Sequence, residues 1–234
     1  MTEEDYQKEQ EYIRRQSEYI MIDWEKMFEQ QDVCFRVYGK PPSLQNNQEK
    51  KLKFTKIVQS YTKQCPYIIT NTCWIHIDYY CSELRRFKNP NMYDMDNIIK
   101  PILDALVGRD GLVVDDVLFD RVEVNWIDKN GLDEVEIRIE YPELHYQRKE
   151  DLSFFKNGLW CFPRIKMSND IYENLVKRYF SIWNRINEDN CDELMYLLPK
   201  QVFIAYNKIQ NKNFDFIDID VPSEEDTLKN ERWL

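Results

Sequence analysis

Hydrophobic and polar residues follow two different periods along the chain, and the changes of period predict alternating strands and helices. Apolar residues recur at every second position in four segments, as in strands with one buried face. These segments cover residues 33–38, 72–80, 118–126 and 134–141. Residues 48–63 and the segment from Ile98 instead have the three- and four-residue spacing of amphipathic helices. This order predicts an α+β domain built on a small mixed β-sheet flanked by helices.

Two details of this domain follow from local residue types. A hairpin is predicted between the last two strands, because Lys129-Asn130-Gly131 favours a tight turn. The segment at 82–93 is expected to be a polar, basic connection. The residues expected to face inward on the helix at 48–63 are Leu52, Ile57 or Phe54, Val58 and Tyr61.

Residues 3–30 are predicted to form one acidic helix ahead of the domain. Its apolar residues repeat every seven positions at Tyr6, Ile13, Ile20 and Met27. Such a helix packs on its own domain or serves as a short dimerisation helix. We therefore assign residues 1–31 to an N-terminal acidic helix and residues 32–141 to the central domain.

The composition changes after Pro142, and residues 142–234 are interpreted as a mostly helical extension. Two helices are predicted, at 168–186 with Ser168 as cap and at 192–198. Two strands are predicted at 202–206 and 214–221, and the last dozen residues have the composition of a loose tail. The extension carries no motif, so its role is open, including that of binding a protein partner.

The candidate chemistry lies between Tyr93 and Leu106. Asp94 and Asp96 are two positions apart, so on extended backbone both side chains would leave the same face. Carboxylate oxygens held in this way suit Mg²⁺, with Mn²⁺ as an alternative. Lys100 follows, where it would neutralise charge on a phosphate in the transition state.

Pro101 limits where this helix begins. Proline is tolerated in or near the first helical turn and is unfavourable further inside. The helix is therefore expected to begin at Asn97 or Ile98, with Asp96 or Asn97 as its cap. This start would leave Asp94 and Asp96 at the mouth of the helix.

The net charge of −10 argues against a nucleic-acid partner, but the distribution of charge favours one. Residues 33–93 carry ten basic and three acidic side chains, and they lead directly into the carboxylate segment. A basic approach to an acidic pocket is what a metal-dependent nuclease needs. A solvated helix face or simple loop charges remain the alternative. The candidate DNA-binding residues are Lys50, Lys51, Lys53, Lys56, Arg85, Arg86 and Lys88.

Other classes of protein are disfavoured by composition. The six cysteines form no CxxC pair and two histidines are too few for a zinc site or a histidine-based triad. No signal peptide and no membrane-spanning apolar run is evident, so reduced thiols in a cytoplasmic protein are expected.

The compound motif resembles the signature of RusA-type Holliday-junction resolvases. The resemblance rests on Asp94-x-Asp96-Asn97-x-x-Lys100-x-x-x-Asp104-Ala105-Leu106, followed by Asp115-Asp116. The turn Gly39-Lys40-Pro41-Pro42-Ser43 is similar to the turn after the family's first strand, and the likeness covers residues 33–141. It implies a homodimeric, Mg²⁺-dependent endonuclease that cuts two opposed strands of four-way DNA junctions in recombination and repair.

The resemblance also implies roles by position. Asp94, Asp96 and Asp116 would bind metal, with Asp115 as the alternative to Asp116, and Lys100 would be the essential lysine. Asp104 and Asn97 would have supporting roles. The alternatives are a junction-binding protein without efficient cleavage, or a related nuclease acting on other DNA structures.

Overall fold

Helices and strands alternate along the computed structural model, which describes residues 22–88, 94–142, 145–164, 170–183 and 204–219. The chain divides into two compact units, Met1–Tyr146 and Gln147–Leu234. The elements up to residue 140 are α1 (Trp24–Glu29), β1 (Asp32–Tyr38), α2 (Gln48–Thr62), β2 (Tyr67–Ile69), β3 (Cys73–Cys81), α3 (Glu83–Lys88), α4 (Met95–Ala105), β4 (Phe119–Asp128) and β5 (Glu134–Glu140). The later elements are β6 (Tyr146–Arg148), β7 (Ser153–Asn157), β8 (Trp160–Arg164), α5 (Asp170–Trp183), β9 (Ile204–Ala205), α6 (Tyr206–Ile209) and β10 (Asp215–Asp218).

A four-stranded mixed sheet of order β1-β5-β3-β4 forms the centre of the first unit. Strand β5 is antiparallel to both β1 and β3, whereas β3 and β4 are parallel. Alternate residues of β1 and β3 are buried, as the period of two predicts, whereas no residue of β4 is buried. The buried side chains of β1, β3 and β5 include Val37, Ile75, Ile77, Val135 and Ile137. The predicted α+β class and mixed sheet are therefore confirmed.

The hairpin predicted between the last two strands is wrong. Strands β4 and β5 do not pair with each other, because β3 lies between them. Residues 129–133 cross the end of β3, where the N–H of Lys129 donates to the carbonyl oxygen of Cys81 at 3.1 Å. The turn residues were recognised correctly, since Gly131 has a φ of 112°. Local sequence could not reveal that a distant strand occupies the space between the two.

Helix α2 buries the residues expected to face inward, with the exception of Leu52. Phe54, Val58 and Tyr61 are buried, and the Tyr61 ring lies 6.4 Å from that of Phe35 in β1. Leu52, expected to face inward, is 51% exposed. Phe54, Val58 and Tyr61 follow the four- and three-residue spacing of one helical face, and Leu52 lies about 200° from Phe54 around the axis.

Residues 22 and 23 are not helical, so one continuous helix over 3–30 is wrong for the described part. The side chain of Asp23 accepts from the N–H of Lys26 at 3.1 Å and caps helix α1. The positions of the seven-residue repeat at Tyr6, Ile13 and Ile20 lie outside the described residues. The buried Phe28 of α1 packs on Tyr67 and Tyr141, with ring centroids 5.1 and 5.6 Å away.

The second unit contains a four-stranded sheet of order β10-β7-β8-β9. The expectation of a mostly helical extension is therefore wrong for the described residues, since the hairpin of β7 and β8 was not predicted. Helix α5 confirms part of the helix expected at 168–186, and it buries Val176 and Phe180 against Phe155 and Phe162. The helix expected at 192–198, the cap Ser168 and the tail lie outside the described residues.

Among the described residues, no helix has the length and apolar character that crossing a bilayer requires. The five cysteines that the structure describes are free thiols, and four of them are buried.

Burial on α2 gives a test of the fold with an internal control. We expect Phe54→Ala to lower the free energy of unfolding by about 3–5 kcal/mol, because a 4% exposed aromatic side chain leaves a cavity. Leu52→Ala, two residues away on the same helix, should change it by less than about 0.5 kcal/mol. Urea unfolding followed by circular dichroism measures both. Equal effects of the two substitutions would show that α2 is oriented differently.

Candidate active site

Helix α4, which carries most of the candidate residues, begins two or three residues earlier than its proline led us to expect. Asp94 precedes the helix with extended backbone angles (φ −93°, ψ 122°), so Pro101 lies inside it. Pro101 has no N–H to donate to the carbonyl oxygen of Asn97, one turn earlier. The N–H of Leu44 donates to that oxygen at 2.6 Å. The bond left open by proline therefore ties the loop between β1 and α2 to the start of α4.

Asp94 and Asp96 meet at this start, although they do not share an extended segment as expected. Asp94 is extended, whereas Asp96 lies in the first helical turn. The side-chain amide of Asn97 donates to Asp94 Oδ2 at 3.1 Å, and its backbone N–H donates to Asp96 Oδ1 at 2.8 Å. The hydrogen bond between the two carboxyl groups raises the pKa of Asp94, as expected when two acids share one place.

Lys100 connects the helix to a second segment of chain. Its ammonium lies 2.6 Å from Asp104 Oδ1, one turn further along α4, and it also contacts Asp116 Oδ2. Partial burial lowers the pKa of Lys100, but the hydrogen bonds to Asp104 and Asp116 outweigh it and the net pKa is raised. Lys100 therefore stays protonated near neutral pH and acts as a fixed positive charge.

A tight turn brings Asp116 back beside α4. The carbonyl oxygen of Leu106 accepts from the N–H groups of Leu112 and Val113 at 2.8 and 3.1 Å. Only glycine fits at 111, because a Cβ there would lie 2.1 Å from the Leu106 oxygen. The next residues are held by β2, since the N–H of Ile69 donates to the Leu112 oxygen at 2.8 Å. The residues between Asp104-Ala105-Leu106 and Asp115-Asp116 thus form the turn that returns the chain to α4.

The adjacent residues Asp115 and Asp116 have different environments. Asp115 is 1% exposed and its side chain accepts from the N–H of Val117 at 3.2 Å, which caps the short turn Asp116–Leu118. Asp116 is less buried and points to Lys100. The geometry therefore associates Asp116 with the other motif residues, and Asp115 with the support of the backbone.

The oxygen donors at the start of α4 fit a hard divalent cation. Mg²⁺ in proteins is commonly held by one or two carboxylates and completes its shell with water and substrate phosphate. Asp94 and Asp96 provide such a pair, and a cation bound by both would replace the hydrogen bond between them that raises the pKa of Asp94. Within the described ranges, no group of three or more His, Cys, Asp or Glu side chains is arranged to hold a metal ion.

The predicted DNA-binding lysines lie on α2. Lys50, Lys53 and Lys56 are exposed, whereas Lys51 is half-buried. Lys53 lies 3.3 Å from Glu49, one turn earlier on the same helix. Lys50 and Lys56 therefore have the greater access to a phosphate backbone.

The predicted polar, basic connection at 82–93 contains a short helix, α3, that the sequence analysis did not specify. Arg85 Nη2 lies 2.6 Å from Asp133 Oδ1 and donates to the carbonyl oxygen of Gly131 at 2.6 Å. The Arg86 guanidinium lies over the ring of Trp126 at 5.2 Å. Both arginines thus contact the protein itself, and Lys88 is exposed.

Sequence reasoning did not single out Asp133 or Lys40. Asp133 is 2% exposed, accepts from the hydroxyl of Tyr79 at 2.6 Å, and its carbonyl oxygen accepts from the N–H of Gly39 at 2.8 Å. Burial lowers the pKa of the neighbouring Lys40, with Asp133 acting in the opposite sense. The available signal was a charged residue, Lys40, between Gly39 and Pro41, in a segment that the sequence analysis treated only as a turn.

The contrast between Asp115 and Asp116 can be measured. We expect Asp115→Ala to lower the free energy of unfolding by about 0.5–2 kcal/mol, because the turn Asp116–Leu118 loses its side-chain cap. Asp116→Ala removes a partly exposed ion pair and should cost about 0–1 kcal/mol. Thermal unfolding of both variants provides the comparison. A larger loss for Asp116→Ala would contradict the assignment of Asp115 as the supporting residue.

Comparison of the chain with protein-family models and with curated protein sequences found no match.

Proposed function

We propose that this protein is a Mg²⁺-dependent, structure-selective DNA endonuclease that resolves four-way junctions by paired phosphodiester hydrolysis. The proposal includes a homodimer acting in recombination and repair, as the resemblance of the motif to RusA-type resolvases implies. The contact of Lys100 with Asp116 carries the proposal, because it joins residues sixteen positions apart and Asp96 lies one helical turn before Lys100. Such convergence supports one reaction centre better than a capped helix next to an unrelated acidic turn.

The chain's own residues have distinct roles in this proposal. Asp94 and Asp96, with Asp116, would hold a metal ion that polarises the scissile phosphate and lowers the pKa of a water molecule. Lys100, kept protonated by its two carboxylates, would stabilise negative charge as it develops on the phosphate oxygens. Asp104 keeps the ammonium directed along the helix face. Asn97 orients the carboxylate of Asp94 through its side-chain amide.

The basic residues support a nucleic-acid substrate. Lys50 and Lys56 on α2 are exposed, and the loop that precedes α2 is bonded to the start of α4 through Leu44. This backbone hydrogen bond thus connects the segment that leads into the lysine-bearing helix α2 with the segment that carries Asp94 and Asp96. Phosphate contacts of this kind provide affinity and position, while branch geometry provides selectivity.

The proposal is tested by cleavage of end-labelled DNA under single-turnover conditions. Purified protein is incubated with a four-way junction and with a linear duplex of the same sequence, in Mg²⁺ and in EDTA. We expect paired nicks near the crossover in Mg²⁺ alone, and a rate at least roughly 100-fold lower for Asp96→Asn and Lys100→Ala. Light scattering should report a dimer at micromolar concentration.

A matched control is available in the second unit. Lys177 lies 3.0 Å from Glu173 in the same one-turn arrangement as Lys100 and Asp104, so Lys177→Ala should cleave like the wild type. Binding of the junction without cleavage in Mg²⁺ and Mn²⁺ would instead identify a junction-binding protein. Equal cutting of the linear duplex would identify a nuclease of different substrate, and a monomer would count against paired incision.

A further inference from the structure

Helix α3 exposes two large apolar side chains instead of burying them. Leu84 is 62% exposed and Phe87 is 70% exposed, and none of the six residues of the helix is buried. The two side chains are three positions apart, so they project from the same side of the helix. A short helix is ordinarily stabilised by burying its apolar face, and α3 has the reverse arrangement.

Polar anchors on its other side hold α3 in place. Arg85 is paired with the buried carboxylate of Asp133 at 2.6 Å, and Asp133 is itself bonded to the Tyr79 hydroxyl of the central strand β3. At the start of the helix, the N–H of Glu83 donates to Asp128 Oδ1 at 2.7 Å. A buried carboxylate is costly unless it is fully paired. Asp133 is therefore a strong constraint on where α3, and with it Leu84 and Phe87, can lie.

The charge and the position of α3 indicate what the apolar pair meets. The helix has three basic residues and one acidic residue; Arg85 is paired with Asp133, whereas Lys88, next to Phe87, is exposed. Only six peptide steps separate Lys88 from Asp94, so the two Cα atoms lie within about 22 Å of each other. Under the proposed function, a DNA strand in the reaction centre passes within a few nucleotides of this cationic helix.

We propose that Phe87, assisted by Leu84, inserts against unstacked bases at the branch point of the DNA. The inference rests on the proposed function and adds the feature of the substrate that is recognised. Bases at a branch point are less well stacked than in a duplex, and an aromatic ring can stack on any of them. Apolar wedges flanked by basic residues act in this way in proteins that distort DNA.

A second copy of the chain is a less suitable occupant. Two side chains on a single helical turn provide much less than the roughly 800 Å² per partner that a stable protein interface buries. The basic side chains beside them would also repel the same surface of a second copy across a two-fold axis. Nucleic acid satisfies both the charge and the small apolar area.

The test compares the affinities of full-length variants for a four-way junction and a linear duplex of the same sequence, in EDTA so that no cleavage occurs. We expect Phe87→Ala to weaken junction binding by about tenfold and to leave duplex binding unchanged, because only the junction offers unstacked bases. Leu84→Ala should have a smaller effect in the same direction, and Phe87→Trp should retain wild-type selectivity. Leu159→Ala, at a 77% exposed leucine of the second unit, is the matched control and should change neither affinity.

A base analogue gives a second, independent readout. Fluorescence of 2-aminopurine at the branch point should rise when the wild-type protein binds and should not rise with Phe87→Ala. Equal affinities of Phe87→Ala and wild type for the junction, with cleavage in Mg²⁺ retained, would overturn this inference alone. A Phe87→Ala variant whose affinities for junction and duplex fall equally would also overturn it. So would a Phe87→Ala variant in which a dimer dissociates. A wild-type protein that neither binds nor cuts the junction would refute the proposed function itself.

Discussion

The candidate site depends on the contacts of the Lys100 ammonium with the carboxylates of Asp104 and Asp116. Asp104 lies one turn along the same helix, which makes its contact a local consequence of helical spacing. Asp116 arrives from a separate segment, so its contact requires the whole chain between residues 106 and 116 to fold back. The two carboxylates keep the lysine charged and fix where its charge lies. A freely rotating lysine would provide the same charge, but the position of that charge would be much less well defined.

Two backbone compromises place the groups around this lysine. Pro101 removes a helical hydrogen bond, and the Asn97 carbonyl oxygen that it leaves free accepts from Leu44 instead. Gly111 permits a backbone approach to Leu106 that any side chain would block, and this approach returns the chain toward α4. Both residues are unfavourable in regular secondary structure, and each allows a contact between two separate segments of the chain. Backbone of this kind is characteristic of positions where geometry matters more than local stability.

The elements that local patterns determine were predicted well, and those that distant contacts determine were not. The alternation in β1 and β3 and the amphipathic spacing of α2 depend on neighbouring residues, and these elements were found where expected. The insertion of β3 between β4 and β5 depends on pairing across the sheet, which no local signal contains. Helix α3 was missed because its apolar residues face solvent, so that it has no buried stripe to detect.

The candidate site was predicted to a similar extent. The motif identified Lys100, Asp104 and the aspartates, but it could not distinguish Asp115 from Asp116, because the distinction depends on burial. The start of α4 was misplaced because the rule for proline considers the helix alone, and Leu44 supplies the missing donor from elsewhere. Asp133 escaped notice for the same reason, since its partners Tyr79 and Arg85 are distant in sequence.

A double-mutant cycle between Lys100 and Asp116 tests the central claim most directly. The rates of junction cleavage by wild type, Lys100→Ala, Asp116→Asn and the double variant are measured under single-turnover conditions in Mg²⁺. If the two residues act as one unit, each single variant loses roughly 100-fold and the double variant loses little more. Independent effects would multiply to a loss of roughly 10,000-fold, and that result would contradict the account.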